Sequence, residues 1–429
     1  MTRVLVVGAS GLIGSAVCAG LHGRGSEIVR VVRPGSAPSS HTAGKALELD
    51  LRSVGPEDWL PHLSGIDAVV NCAGTLQDGP GEDTTAVHAR GPASLFKACE
   101  QAGVRRVIHF SAMGVDRAQP SPFSRTKLQG DEALMACDLD WVILRPSVVL
   151  GPGAYGASAL FRGLAALPWL PVMPNTGLLQ VVRLEDMVRT VEMFVNPNAP
   201  SRLTLEVAGP EALSFKDVVG TYRRWFGWPA ARVVNMPTPL ANLTYKLSDI
   251  AGALGWRPPT RSTAQKEIGR GAVGDNRAWV EKTGIEPMAL ADALARTPVS
   301  VQERWFAKLY LLKPVIFIVL PLFWITTGVI SLTSGYEIGV DLMERGGAGV
   351  LAGPSVIAGA LADILIGMAI AFRRTSRIGL YGAVGLSLFY AIAGTALLPE
   401  LWNEPLGPLL KIWPILVLHL AALAILEER

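Results

Sequence analysis

Three glycines at three-residue spacing, Gly8, Gly11 and Gly14, stand between an apolar run at residues 3–7 and a helical stretch at 15–21. Glycines so placed allow a tight turn, let a backbone approach a diphosphate and permit a helix to pack closely on a strand. The helix N-terminus then offers N–H donors to the anion. A second strand expected at 27–32 supplies the context that gives such a triplet meaning. The motif points to a dinucleotide, with Gly8, Ser10, Gly11, Leu12, Ile13 and Gly14 as candidate contacts. The second strand ends at Arg33. An acidic residue there would hydrogen-bond the ribose of NAD, whereas an arginine pairs with the 2′-phosphate of NADP. NADP(H) is therefore favoured over NAD(H), with Ser10 or Arg30 assisting; a solvated strand-end charge is the alternative for Arg33.

Further strands are expected at 46–51, 67–72, 106–111 and 141–144, with helices at 84–102 and 127–136. This alternation is that of an α/β fold, a Rossmann-type doubly wound parallel sheet with helices on both faces. Ligands bind at the carboxyl ends of such strands. Asp50, Leu51, Cys72, Ala73, Gly74, Ser111 and Pro146 fall there.

The segments GASGLIG at 8–14, NCAG at 71–74 and ILRPSVVLGPG at 143–153 resemble the atypical or extended short-chain dehydrogenase/reductase superfamily. The subgroup it is most similar to includes NmrA-like proteins and the NADPH-binding accessory subunit of respiratory complex I. The likeness covers about residues 1–290, including 180–186 and 207–210 in the smaller C-terminal lobe that such proteins carry. It implies a catalytic Ser, Tyr and Lys, the last two spaced YxxxK. Ser111 matches the serine and Lys127 the lysine, but the tyrosine position holds Phe123. A phenol whose pKa a lysine lowers passes a proton to a carbonyl as hydride arrives, general acid work typically contributing ~10²–10⁴-fold. A phenyl ring cannot do this. Tyr155 and His109 are conceivable substitutes, and Lys127 keeps a role in holding the nicotinamide ribose hydroxyls.

The composition divides the chain. Of 429 residues, 50% are hydrophobic and 17% charged, with 39 basic and 36 acidic residues giving net charge +3; mean hydropathy is +0.34. From Pro314 onward there are six basic and eight acidic residues, leaving 33 and 28 before it. Four apolar stretches, at 314–333, 346–372, 378–399 and 406–426, reach the length that a bilayer core of ~30 Å requires of a helix. The expected tail is an all-α four-helix transmembrane bundle, similar to the DoxX-like family of membrane proteins. Basic residues precede the first stretch and crowd the second link as Arg373, Arg374 and Arg377, while the other two links are acidic. The positive-inside rule then sets the soluble domain and both termini in the cytoplasm, on a multi-pass inner-membrane protein. Expected domains are 1–150, the NADP(H)-binding core; 151–298, the smaller substrate lobe and remaining core elements; 299–313, an amphipathic linker helix; and 314–429, the membrane domain. The linker carries Trp305, Phe306, Leu309 and Leu312 at helical spacing, either an interfacial helix or an extension of the first span.

Asp363 falls mid-span with no basic partner in the membrane part. A carboxylate at that depth costs ~2.5–3.5 kcal/mol on insertion scales, so it should face the bundle interior. There it either binds a polar head or relays a proton, or it is a protonated or water-paired structural group. The four cysteines lack any CxxC pair and read as reduced. The first twenty residues do not read as a signal peptide. His22, His41, His62, His88, His109 and His419 show no metal-ligand spacing. Trp169, Trp225, Trp228 and Trp256 are expected as packing residues. The basic residues form no stripe that would suit nucleic acid, and a transporter is disfavoured by the lack of broken-helix repeats. Two functions remain. One is a membrane-anchored oxidoreductase acting on a quinone or isoprenoid-like lipid. The other is an NADPH-binding structural or redox-sensing module of a membrane complex, without turnover.

Overall fold

The computed structural model describes residues 1–35, 44–117, 120–405 and 407–427. His41, and Leu406 at the start of the fourth expected span, lie outside the described residues. The chain divides into two compact units, one of Met1–Asp249 with Pro258–Ala307 and one of Ile250–Arg257 with Lys308–Arg429.

The first unit alternates strand and helix. It runs β1 (Arg3–Val7), α1 (Leu12–Gly23), β2 (Glu27–Val32), β3 (Lys45–Glu48), α2 (Pro56–Leu63) and β4 (Ala68–Asn71). Then come α3 (Gly91–Ala102), β5 (Arg106–Phe110), α4 (Pro122–Met135) and β6 (Asp140–Pro146). The helix containing α3 begins at Thr84 and passes through a π-turn at Ala86–Arg90. Next are β7 (Val148–Leu150), α5 (Gly156–Ala165), β8 (Trp169–Val172), β9 (Val181–Arg183), α6 (Leu184–Phe194) and β10 (Leu203–Val207). The remaining elements are α7 (Phe215–Trp225), β11 (Arg232–Asn235), α8 (Thr238–Ala253), α9 (Ser262–Arg270), α10 (Arg277–Thr283), α11 (Leu290–Ala295) and α12 (Val301–Tyr310).

Seven strands form one parallel sheet in the order β10-β6-β5-β4-β1-β2-β3. Side chains alternate across a strand, and β1 shows the result. Val4 and Val6 enter a core with Val17, Leu21, Met187, Phe194 and Trp279. Leu5 and Val7 enter the opposite core with Trp59, Leu95, Phe96 and Leu134. Of the strands in 151–298, β10 joins this sheet. Two strand pairs, β7 with β9 and β8 with β11, are separate from the main sheet. Trp169, expected to pack, is instead 63% exposed.

Arg162 on α5 is buried. It donates to the Gly151 carbonyl at 3.1 Å, the Ser158 carbonyl at 3.3 Å and the Glu303 carboxylate on α12 at 2.9 Å. Its guanidinium carbon lies 5.2 Å from the Tyr222 ring centroid.

In the second unit, α13 (Leu312–Leu332) is followed by α14 (Tyr336–Arg345), α15 (Ala352–Ala371), α16 (Ser376–Leu397) and α17 (Ile412–Ile425). Three helices are long and apolar enough to span a bilayer, Leu312–Leu332, Gly349–Ala371 and Ser376–Leu397. The fourth expected span departs from its prediction: α17 has 14 residues, about 21 Å at ~1.5 Å per residue. Gly407 at φ +56° turns the chain five residues before α17 begins. The first acidic link also differs from a simple loop, since it folds as α14. Even so, α17 ends where α15 passes into α16. Arg373 donates to the Leu426 carbonyl at 3.1 Å and Arg377 pairs with Glu427 at 3.0 Å. Trp256 joins the same end, its ring 4.6 Å from Phe317 and its indole N–H donating to the Ala371 carbonyl at 2.7 Å.

Helices α13 and α15 approach through small residues, as membrane helices do. A Cβ at Gly328 would lie 2.5 Å from the Ala360 carbonyl oxygen. Replacing Gly328→Leu should therefore force the two backbones apart and lower stability by about 1–3 kcal/mol, read as a reduced thermal unfolding midpoint in detergent.

Candidate functional site

The bend between β1 and α1 is built on Gly8, at φ +74°. The Gly11 amide donates to the Gly8 carbonyl at 3.0 Å, and Ser15 donates to Gly11 at 3.0 Å. Gly14 sits directly over the bend, where a Cβ would lie 2.2 Å from the Gly8 carbonyl oxygen. No side chain caps α1, whose N-cap is Gly11. Its first-turn amides at Leu12, Ile13 and Gly14 have no acceptor within the helix and carry the positive end of its dipole. Ser10 is exposed beside them. Such a bend suits a diphosphate.

At the carboxyl ends of β2 and β3, Arg33 is exposed. Asp50 accepts from Arg52 at 2.6–3.0 Å, and these bonds hold its carboxyl below the usual range, with Arg33 adding a weaker attraction. Two arginines and one carboxylate thus gather at this end. Leu51 is half-buried beside the core that holds Trp59. Arg30 is buried, with Nη2 donating to the Gly44 carbonyl at 3.2 Å.

The turn after β4 touches the glycine bend, since a Cβ on Gly8 would lie 2.9 Å from the Ala73 backbone. Asn71 Oδ1 accepts the Ala73 N–H at 3.1 Å. Burial raises the Cys72 thiol, keeping it protonated. Lys127 is buried beneath this turn and donates to the Ala73 carbonyl at 3.1 Å and the Phe110 carbonyl at 2.7 Å. A Cβ on Gly74 would be 3.5 Å from its Nζ. Burial lowers the ammonium pKa to about 8, against the smaller opposing pull of Asp131.

Phe123 stands edge-on to His88, ring centroids 5.3 Å apart. His88 Nε2 accepts the Thr75 N–H at 3.0 Å, so its proton sits on Nδ1, 2.9 Å from Thr126 Oγ1. Burial, with Lys127 and His109 nearby, keeps this imidazole neutral. Its place in the π-turn, a feature frequent at functional sites, had no signal in the sequence. Tyr155 stands at the N-cap of α5, and His109 is wholly buried.

Ser111 does not stand alone. Its hydroxyl donates at 2.9 Å to Asp131, which also accepts from Arg145 at 3.0 and 3.2 Å. Arg145 pairs with Asp116 at 2.5 Å. His109 Nδ1 accepts from Asn71 at 3.1 Å, leaving Nε2 to face Asp131 at 3.5 Å. Burial pushes the Asp131 carboxyl up, while the Ser111 and Arg145 hydrogen bonds pull it down. Sequence reasoning missed Asp131, although its position four residues after Lys127 puts both on one helix face. Pro146 is buried at the end of β6, its carbonyl accepting the Met113 N–H at 3.0 Å. In the second unit Asp363 is 4% exposed and accepts from the Tyr390 hydroxyl at 3.1 Å.

Residues 8–161 match an NAD(P)H-binding family, and residues 321–420 match the DoxX-like family. The ceramide reductase of Caulobacter vibrioides is 23% identical over 239 residues, which cover 55% of this chain and 74% of that protein. The 3-diazoavenalumate denitrifying reductase of a Streptomyces species is 27% identical over 316 residues, 62% of this chain and 99% of that protein. An uncharacterized protein of Mycobacterium tuberculosis is 25% identical over 224 residues, 52% of this chain, which spans only 23% of that relative's length. Among solved structures, the Bordetella bronchiseptica enzyme WbmG in complex with NAD has a TM-score of 0.53 at 18% identity, covering 68% of this chain and 91% of that one. UDP-glucose 4-epimerase from Thermotoga maritima has a TM-score of 0.51 at 16% identity, covering 72% and 97%. These structures establish the fold. The chain joins an NAD(P)H-binding, Rossmann-type domain to a DoxX-like helical domain with three membrane-length helices.

Lys127 is protonated below its lowered pKa of about 8 and neutral above it, so a nucleotide hydroxyl that leans on the ammonium should bind more weakly as pH rises. Titration calorimetry with NADPH is expected to show affinity falling several-fold between about pH 7 and pH 9.5. In Lys127→Met the affinity should be lower and that pH dependence absent.

Proposed function

We propose that the chain is a membrane-anchored, NADP(H)-dependent reductase whose hydride acceptor is a quinone or another apolar molecule that partitions into the bilayer. The uncapped helix N-terminus above Gly8, in one chain with three membrane-length helices, carries this reading. Arg33 favours the 2′-phosphate of NADP(H). The name of the Caulobacter relative, a ceramide reductase, supports a substrate of lipid character.

Bound NADPH would supply a hydride to the quinone, and one proton from water would complete the quinol. The residues divide the remaining work. The amides of Leu12, Ile13 and Gly14 receive the diphosphate, and Lys127 offers its remaining N–H to the nicotinamide ribose. Phe123 closes the site without donating a proton, which suits an acceptor whose reduced oxygen is acidic enough to be protonated by solvent. Asp363 with Tyr390 provides a polar pair within the bundle for the head of an apolar ligand. By the positive-inside rule, Arg373, Arg374 and Arg377 mark the cytoplasmic side of the inner membrane, and Glu427 lies at the same end of the unit.

A second reading is a nucleotide-binding module of a membrane complex that turns nothing over. The Ser111 proton is committed to Asp131, and two Lys127 protons are committed to backbone carbonyls.

Full-length protein in proteoliposomes should oxidise NADPH several-fold faster with a quinone than without one. Gly11→Asp, which sets a carboxylate against the diphosphate, should abolish both binding and oxidation. Tight NADPH binding without acceptor-dependent oxidation would select the second reading, and absence of binding would overturn both.

A further inference from the structure

Helix α8 carries two apolar lines on nearly opposite sides. Ala241, Tyr245 and Gly252 are buried and form the line that packs on protein. Ser248, between them, hydrogen-bonds Thr260 at 2.8 Å. The other line, Leu240, Leu243, Leu247 and Ile250, recurs at intervals of three and four residues, and each is 50–59% exposed. At 3.6 residues per turn these four leucine and isoleucine side chains stack along about 15 Å of helix. A contiguous exposed stripe of this kind marks an interaction surface.

The end of α8 identifies the occupant. Ile250 and the residues that follow, through Arg257, belong to the second unit. There Trp256 donates to the carbonyl of Ala371, the last residue of α15, and its ring packs at a tilt, 4.6 Å from that of Phe317 in the first turns of α13. The Arg373 guanidinium lies 5.7 Å from the Trp256 ring, and its amide donates to the Leu254 carbonyl at 3.0 Å. Tryptophan and arginine at the termini of apolar spans are the residues that occupy the headgroup layer. The stripe therefore continues into a segment bound at the end of the spans, where helices with one apolar face lie in the plane of the interface. Lys246, exposed between Tyr245 and Leu247, can reach lipid phosphates from such a helix.

We infer that α8 is an interfacial membrane helix, with Leu240, Leu243, Leu247 and Ile250 inserted into the acyl boundary of one bilayer leaflet. The inference rests on the reading of α13, α15 and α16 as spans, and does not depend on turnover or on which nucleotide binds.

The test uses the full-length protein in vesicles of phosphatidylethanolamine and phosphatidylglycerol, with an environment-sensitive fluorescent amino acid placed singly at Leu247, Leu243, Asn242 or, within α13, Leu322. Lipids spin-labelled near the headgroup should quench the probe at Leu247 and Leu243 at least twofold more than at Asn242, and lipids spin-labelled at the acyl-chain end should quench the probe at Leu322, which lies about 15 Å from either end of α13. Quenching at Leu322 with none at Leu247 and Leu243 would overturn the inference and leave the spans in place, whereas none at any of the three would remove the membrane reading itself. A probe at Leu247 that is shielded from water, unquenched by lipid, and exposed again when protein is diluted into excess lipid would assign the stripe to a second copy of the chain and overturn the inference.

Discussion

The nucleotide end of this protein depends on one close approach, that of α1 to the Gly8 carbonyl. Because Gly14 has no Cβ, the helix starts directly on the bend after β1, with no side chain capping its first amides. A methyl group there would displace helix or bend, and the positive end of the α1 dipole would lose its aim. Sheet order follows from the same start. With β4 on one side of β1 and β2 on the other, the strand ends diverge at the bend and open the crevice in which α/β sheets bind ligands.

Beneath that crevice lies an unusual concentration of buried charge. Lys127, Asp131 and Arg145 are all buried, and isolated charges are costly there. Their hydrogen bonds answer the cost in three ways: backbone carbonyls receive the lysine, a serine and a guanidinium satisfy one oxygen of the aspartate, and a second aspartate receives the arginine. Breaking such a set by removing one member is far more damaging than never having built it. Lys127 and Ser111 are consequently held by a lattice whose parts come from α4, β6 and the carboxyl ends of β4 and β5, so it depends on the strand order of the sheet.

Much of this was legible beforehand. The glycine triplet, the alternation of apolar strands with helices and the lengths of three apolar stretches are local signals, set by a period of two or of 3.6 residues or by the thickness of a bilayer. What escaped was non-local or conformational. Asp131 gains its meaning only when β6 brings Arg145 beside it, fourteen residues away in sequence. His88 gains its meaning from a π-turn that composition does not encode. The fourth apolar stretch counted as long enough because hydropathy ignores the left-handed turn at Gly407, five residues before α17 begins. Trp169 was expected to pack, yet it is exposed, since a sequence does not say which large apolar side chain finds a neighbour.

Arg162 ties two distant stretches of chain into a single knot. Its guanidinium fork grips the Gly151 carbonyl, just past the β6–β7 strands, and the carboxylate of Glu303, on the helix that leads toward α13. Sliding α12 away would strand a cation in the dark of the protein, so the helix and the loop must travel as one piece. The start of α12 is thereby fastened to the turn after β7, and slack in one is denied to the other.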